Sequence, residues 1–507
     1  MSVNLEKIVY LSVGVGLIFA VMWLLVWGTN LPEFALWKVF VMILPAAVLI
    51  ILLMQSHESL RFLFFSFIVA LPVLGIALPP KRWGITALDL LVGLMVIFLL
   101  FRNNVTNTKI KLVPEPLVLA ALLLVFPSVV LAIDPMTSII EYIRMIGFYL
   151  AFVVVHHFLS EPDVRDKVVF WLATSVIIVG LFVFIEKQTG INFSNSGQNV
   201  NALTYVGTSI IYRTAGLFQD PQKVGQFLAV LLVLLVVLWS RGIPSLRRTR
   251  WWVLIAIALG AGALLLTVSR MAIAGGFSMA IVSYITLGKN SILKKIAFIG
   301  IPALTVVLLI LAFSSIALVE KFVPENLQKR FTTVDRSQDG RFGIWEDSWH
   351  IFEENPLTGI GPGNYQEYLM RENPKFRRYE KVGGYVPSQP ESGYLKILYE
   401  TGTPGAIGMI VLFFAFLMRI IKTVISCKDD NERSWSLAVG ASLIVYLATF
   451  STLFTPSDPR NAVLVLLMIA LVGSFRNRSI AESQEKMSEN RELTTVSIPG
   501  QPPGRAN

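Results

Sequence analysis

The chain has little from which to build a disulfide or metal framework: of 507 residues, one is cysteine (Cys427) and four are histidine. A single cysteine excludes an intrachain disulfide scaffold and a cysteine-rich metal site. No HExxH pairing or cluster of carboxylates accompanies the histidines, so neither a metal nor another cofactor is expected. Charge is also scarce. Only 15% of residues are charged, where a soluble chain carries roughly a quarter. The sequence shows no internal repeat, which leaves an inverted-repeat transporter without support. Neither Gly288-Lys289-Asn290 nor the glycine-rich stretch 359–363 continues into Gly-Lys-Ser/Thr, so there is no Walker loop. The first apolar run follows Lys7 and lacks a small-residue cleavage pattern, which reads as a retained helix and not a signal peptide.

What the chain does have is apolar length. It is 54% hydrophobic with a mean hydropathy of +0.66. Runs long enough to cross a ~30 Å hydrocarbon core recur from residue 8 to residue 475. Inside a bilayer only helices or closed barrels satisfy the backbone, and these runs are too long for barrel strands. The expected fold is therefore all-α, a polytopic transmembrane bundle of 12–14 spans. Fourteen candidates are about 8–27, 35–54, 60–78, 84–101, 115–132, 138–158, 166–185, 223–240, 252–267, 271–287, 296–319, 405–424, 435–453 and 461–475.

The net charge of +10 has the sign for nucleic acid, but its distribution points elsewhere. The excess falls in short loops between apolar runs: Arg102, Lys109 and Lys111; Arg241, Arg247, Arg248 and Arg250; Lys289, Lys294 and Lys295; and Arg419, Lys422, Lys428 and Arg433. With fourteen spans and both termini cytoplasmic, all four segments lie inside, as positively charged loops do. Lys81-Arg82 is the one contrary loop. Two long loops fall outside, about 186–222 and 320–404. The second is far longer than an ordinary connection, nearly balanced in charge and rich in Gly, Pro and Tyr, so a partly helical, folded periplasmic cap is expected. The tail 476–507 is polar, ends in a Pro/Gly run and reads as disordered cytoplasm.

This topology sorts the charged residues. Arg270, in Thr267-Val268-Ser269-Arg270, is the only charge across 252–287 and is expected at the outer end of a tight helix–helix turn. An arginine near a membrane marks an ion pair or a functional site, or it snorkels to headgroups. Arg213 precedes the span at 223, and Arg341 opens a helix-like run in the large loop; both are outside. Three arginines on one face have the fork geometry and permanent charge to clamp a pyrophosphate. The stretch Pro356-Leu357-Thr358-Gly359-Ile360-Gly361-Pro362-Gly363-Asn364 suits either a structural turn or close backbone approach to a ligand. A short helix follows from Glu391 toward Gly402, with Glu391 as either a capping acid or a general base. Glu141 and Arg144 are expected to pair, His156 and His157 to lie at a cytoplasmic helix end, and His350 to stand as a reserve base.

In order along the chain, several motifs resemble the O-antigen ligase/polymerase family. They are Arg213 with Gly216, Phe218 and Asp220-Pro221; Ser269-Arg270; Arg341 with Trp345; the PLTGIGPGN stretch 356–364; Gly393-Tyr394-Leu395; and Glu400-Thr401-Gly402. The resemblance covers about 200–420 and divides the chain into N-terminal spans 1–199, a core 200–424 that includes the loop, C-terminal spans 425–475 and the tail. It implies a metal-independent glycosyltransferase in the bacterial inner membrane. Its donor would be a glycan on undecaprenyl pyrophosphate, with a glycan acceptor, surrounding membrane lipids and other polysaccharide assembly proteins as partners. By position it implies Arg213, Arg270 and Glu391 as catalytic residues, and Arg341, Gly361, Gly363, Asn364 and Tyr394 as substrate-binding ones. Where the family's ligases usually carry His-Asn, this chain has Glu391-Ser392. That departure favours a polymerase of O-antigen, capsule or exopolysaccharide repeat units over a ligase acting on lipid A–core. The rival outside glycosyl transfer is a lipid-linked oligosaccharide flippase, which needs charge through the midplane, where this chain has little.

Overall fold

The computed structural model describes residues 57–74, 86–106, 116–191, 203–206, 209–218, 220–287, 336–372, 392–427, 429–452 and 458–475. The expected spans 8–27, 35–54 and 296–319 lie outside the described residues, as do Glu391 and the tail. The remaining expected spans all fall on helices. These are α1 (His57–Leu74), α2 (Ala87–Thr106), α3 (Pro116–Val130), α4 (Pro135–Leu159), α5 (Pro162–Thr189), α6 (Pro221–Arg241), α7 (Arg250–Leu266) and α8 (Arg270–Leu287). In the large loop lie α9 (Arg336–Glu354) and α10 (Tyr365–Glu372), followed by α11 (Gly393–Ser426), α12 (Asp430–Phe450) and α13 (Pro459–Phe475). A single antiparallel hairpin, β1 (Leu203–Val206) with β2 (Ser209–Tyr212), interrupts the helices in the loop before α6; Leu203 pairs with Tyr212 and Val206 with Ser209. The architecture is a helical membrane bundle.

Helix starts follow from caps that the apolar periodicity does not reveal. Asp134, Asp220 and Asp429 each accept a backbone N–H from two residues on, and Pro135 and Pro221 then supply a preset helical φ. Helices α5 and α6 end at Gly190 and Gly242 in the left-handed conformation. Among the described residues, five helices are long and apolar enough to cross a bilayer: α4, α5, α6, α11 and α12.

Helix α6 is apolar on all sides and buried along most of its length, as a helix without a polar face must be. It packs against α7, α8 and α12. Small residues allow close approach: Gly276 of α8 faces Ala229 of α6, and Gly260 of α7 faces Val176 of α5. At the other extreme, Leu123 of α3, Ile143 of α4 and Phe414 of α11 are 61–70% exposed. Large apolar side chains in such number on the outside are suited to hydrocarbon and not to water.

The two ends of the bundle differ. At one end, ion pairs lace the helices: Arg61 with Glu161 at 2.7 Å, Arg165 with Glu432 at 3.9 Å, and Arg241 with Asp430. His156, expected at the interface here, is instead buried against Phe152, because Gly473 of α13 leaves room for its ring. At the opposite end, α9 and α10 form a folded cap with its own small core of Ile351, Ile360, Tyr365, Leu369 and Tyr399. The rings of Tyr365 and Tyr399 lie 5.2 Å apart. Burial pushes the Tyr365 phenol up to about 12, so it stays neutral and serves packing.

Candidate active site

The turn between α7 and α8 is three residues long and strained. Thr267 closes α7, with its hydroxyl donating to the Leu264 carbonyl at 2.7 Å, and Ser269 N–H returns to the Thr267 hydroxyl at 3.3 Å. Between them Val268 adopts φ 52°, a left-handed conformation that a β-branched side chain resists. Its side chain is buried, so packing holds the turn in that shape. Arg270 then begins α8, at the end of the turn as its sequence position implies.

Arg213 meets this turn from the segment between β2 and α6. Its Nε donates to the Thr267 carbonyl at 3.1 Å, and Thr214 donates from both its N–H and its hydroxyl to the Leu266 carbonyl. The last carbonyls of α7 are thereby satisfied by a neighbouring strand of chain. Arg213 and Arg270 line one pocket together with Gln222, Val268, Ser269, Met271 and Thr452. Two guanidinium side chains, an amide and two hydroxyls in one concavity suit an anion with several oxygens.

The glycine-rich loop forms a second cluster. Ile360 and Gly361 donate to the carbonyls of Tyr399 and Glu400, and Gly363 N–H donates to the Glu400 carboxylate at 2.9 Å. Gly361 has φ 90°, and a Cβ there would lie 2.3 Å from the Cβ of Ala132. Asn364 is fully buried; its amide nitrogen donates to the Ser138 hydroxyl at 2.8 Å, and its amide oxygen accepts from Asp134 N–H at 3.2 Å. The glycines thus admit neighbouring protein: the loop is riveted between the start of α4 and the start of α11. Glu400 is the pivot: Lys396 Nζ lies 3.3 Å from Oε1, the same oxygen that accepts from Gly363 N–H. Helix α11 breaks at Gly402, where φ is 64° and a Cβ would lie 2.4 Å from the Leu357 carbonyl oxygen.

The other candidate residues fall separately. Arg341 lies in α9. Tyr394 is half-exposed on the first turn of α11, donates its hydroxyl to the Leu447 carbonyl at 2.8 Å and stacks edge-on against Phe450. The N-cap of α11 is Ser392, whose hydroxyl accepts from Leu395 N–H; Glu391 lies outside the described residues. His350 is exposed on α9, with Nδ1 3.2 Å from the Glu353 carboxylate. Glu141 and Arg144 pair at 2.6 Å as their spacing implies.

Residues 255–410 match the family model described as O-antigen ligase. The chain carries an O-antigen ligase domain. No curated protein matches it. This match supports a membrane enzyme of O-antigen or related glycan assembly, with a glycosyltransferase-like activity. The matched stretch of the O-antigen ligase domain contains Arg270, Arg341, the glycine-rich loop, Glu391, Tyr394 and Glu400, whereas Arg213 precedes it. Sequence reasoning passed over the contacts of four residues in this architecture. Lys396 and Glu400 carry an i,i+4 signature that was available. The contacts of Glu186 with Ala215 and Gly216, and of Arg460 with Pro72 and Leu217, have no such signal, because they reach backbone groups distant in the chain.

Proposed function

We propose that the protein polymerises undecaprenyl-pyrophosphate-linked oligosaccharide repeat units at the outer face of the bacterial inner membrane. The observation that carries this reading is the shared pocket of Arg213 and Arg270 at the capped end of the bundle, opposite the arginine-rich end. A hydroxyl of the acceptor sugar attacks the anomeric carbon of the donor. Its oxygen forms the new glycosidic bond as the bond to the pyrophosphate breaks, with inversion. The hydroxyl proton passes to Glu391, and undecaprenyl pyrophosphate leaves with its electron pair. Arg213 and Arg270 neutralise the charge that develops on the leaving group, a form of transition-state stabilisation that requires no metal. Arg341 and Tyr394 bind the donor. Gly361, Gly363 and Asn364 act by fixing the cap to α4 and α11.

The second reading is transfer of a finished glycan to lipid A–core, favoured by the ligase description of the matching family. The Glu391-Ser392 departure weighs toward polymerisation. Incubation of the purified protein with undecaprenyl-pyrophosphate-linked repeat units separates the two. Longer lipid-linked chains are expected; product only when lipid A–core is supplied would replace the polymerase by the ligase, and movement of lipid across vesicles without bond formation would replace both by a flippase.

A further inference from the structure

The segment that carries Arg213 is held from two sides by buried charges that the proposed chemistry does not use. On one side is Glu186 of α5, fully buried, whose Oε2 accepts from Ala215 N–H at 2.9 Å and from Gly216 N–H. On the other is Arg460, 2% exposed in the first turn of α13. Its Nη1 donates to the Leu217 and Pro72 carbonyls at 3.0 Å each, and its guanidinium lies 3.9 Å over the ring of Phe218. Asp458 fixes Arg460 in turn, accepting from Nε at 2.9 Å and from Nη2 at 2.7 Å. Residues 213–215 belong to no helix or strand, so these contacts do for the segment what a regular element would otherwise do. Burying a carboxylate and a guanidinium is costly unless each is well bonded, and here much of that bonding goes to the backbone of three consecutive residues, 215–217.

We propose that Glu186 and Arg460 are positioning residues for Arg213. Gripping residues 215–218 from opposite sides, they hold the Arg213 guanidinium at the pocket before any ligand arrives. An arginine on an unheld loop would have to be ordered at each binding event, which lowers affinity. The proposal rests on reading the pocket as a pyrophosphate site.

The test is a double-mutant cycle on the full-length protein in detergent, with undecaprenyl pyrophosphate as the probe and its Kd as the readout. Arg213→Ala comes first. An unchanged Kd removes the pyrophosphate reading and takes this inference with it. Once Arg213→Ala weakens binding, Glu186→Ala is expected to cost about tenfold in the wild-type background and less than about twofold in the Arg213→Ala background, since it acts through that side chain. Equal losses in both backgrounds, or no loss in the first, overturn the inference and leave the pocket reading standing. Glu186→Gln, whose amide oxygen still accepts both N–H groups, is expected to restore binding. Should Glu186→Ala fail to fold, Arg460→Lys replaces it: the charge stays, the pair of carbonyl contacts does not, and the same dependence on Arg213 is required.

Discussion

At the scale of single residues, the chain assigns different work to its glycines and its arginines. Arg213 and Arg270 come from segments 57 positions apart yet border one pocket. Replacing either by alanine is expected to lower chain growth by about 10²–10³-fold, the scale of losing one donor to a developing oxyanion; Arg213→Ala, which also leaves the Thr267 carbonyl without its donor, is expected to lower the melting temperature as well. Glu391→Gln is expected to abolish turnover and leave donor binding intact; retained turnover would remove Glu391 as the base. Gly361 behaves in the opposite way. A Cβ at φ 90° and 2.3 Å from Ala132 forces the loop off α4, so Gly361→Ala is expected to cost about 2–5 kcal/mol of stability, read by thermal denaturation in detergent. The arginines were legible in the sequence because a lone charge in an apolar stretch is conspicuous. The partners of the glycines were not: Ala132, Ser138 and Glu400 lie far from 359–363 in the chain, and periodicity carries no record of a contact between a loop and two helix starts.

At the scale of elements, Asp134 joins two structures. Its carboxylate caps α4 through Met136 N–H at 3.1 Å and the Thr137 hydroxyl, while its own N–H donates to Asn364 of the cap. The Thr137 hydroxyl, with the backbone N–H groups of Met136 and Thr137, holds the Asp134 carboxyl below the usual carboxylate range, against the opposing effect of burial. A carboxyl depressed in the folded state stabilises it above the unfolded value near ~3.9 and loses that contribution as pH falls through the lower folded value. Asp134→Ala is therefore expected to cost about 1 kcal/mol near neutral pH, and the gap from wild type is expected to narrow below about pH 4 in a melting series. Each described helix of the bundle was readable from hydropathy, whereas α9 and α10 of the large loop, both polar, were not. The break at Gly402 was not: a glycine before Thr403-Pro404 reads equally as a loop ending or as a kink. What decides it is Thr403, whose N–H and hydroxyl both donate to the Pro356 carbonyl, a contact outside α11.

At the scale of the whole molecule, the bundle is polarised. One end is tied by Arg61–Glu161 and Arg241–Asp430, the other carries the cap and the pocket. Reporter fusions within 330–390 are expected to be active only as periplasmic enzymes; cytoplasmic signal there would invert the scheme and place the arginine pocket on the wrong side for a periplasmic transferase. The tilt of basic residues toward one end was visible in the sequence, while the identity of the buried centre was not, since α6 reads no differently from a lipid-facing span until its neighbours are known. The pocket's place at one end of a bundle dressed in exposed Leu123, Ile143 and Phe414 has a kinetic consequence. On the proposed reading, enzyme and polyprenyl donor share a two-dimensional solvent, so encounters are set by molecules per unit of membrane and not per unit of volume. Added phospholipid slows such a reaction as dilution would, added buffer leaves it unchanged, and saturation is properly expressed as a mole fraction of lipid.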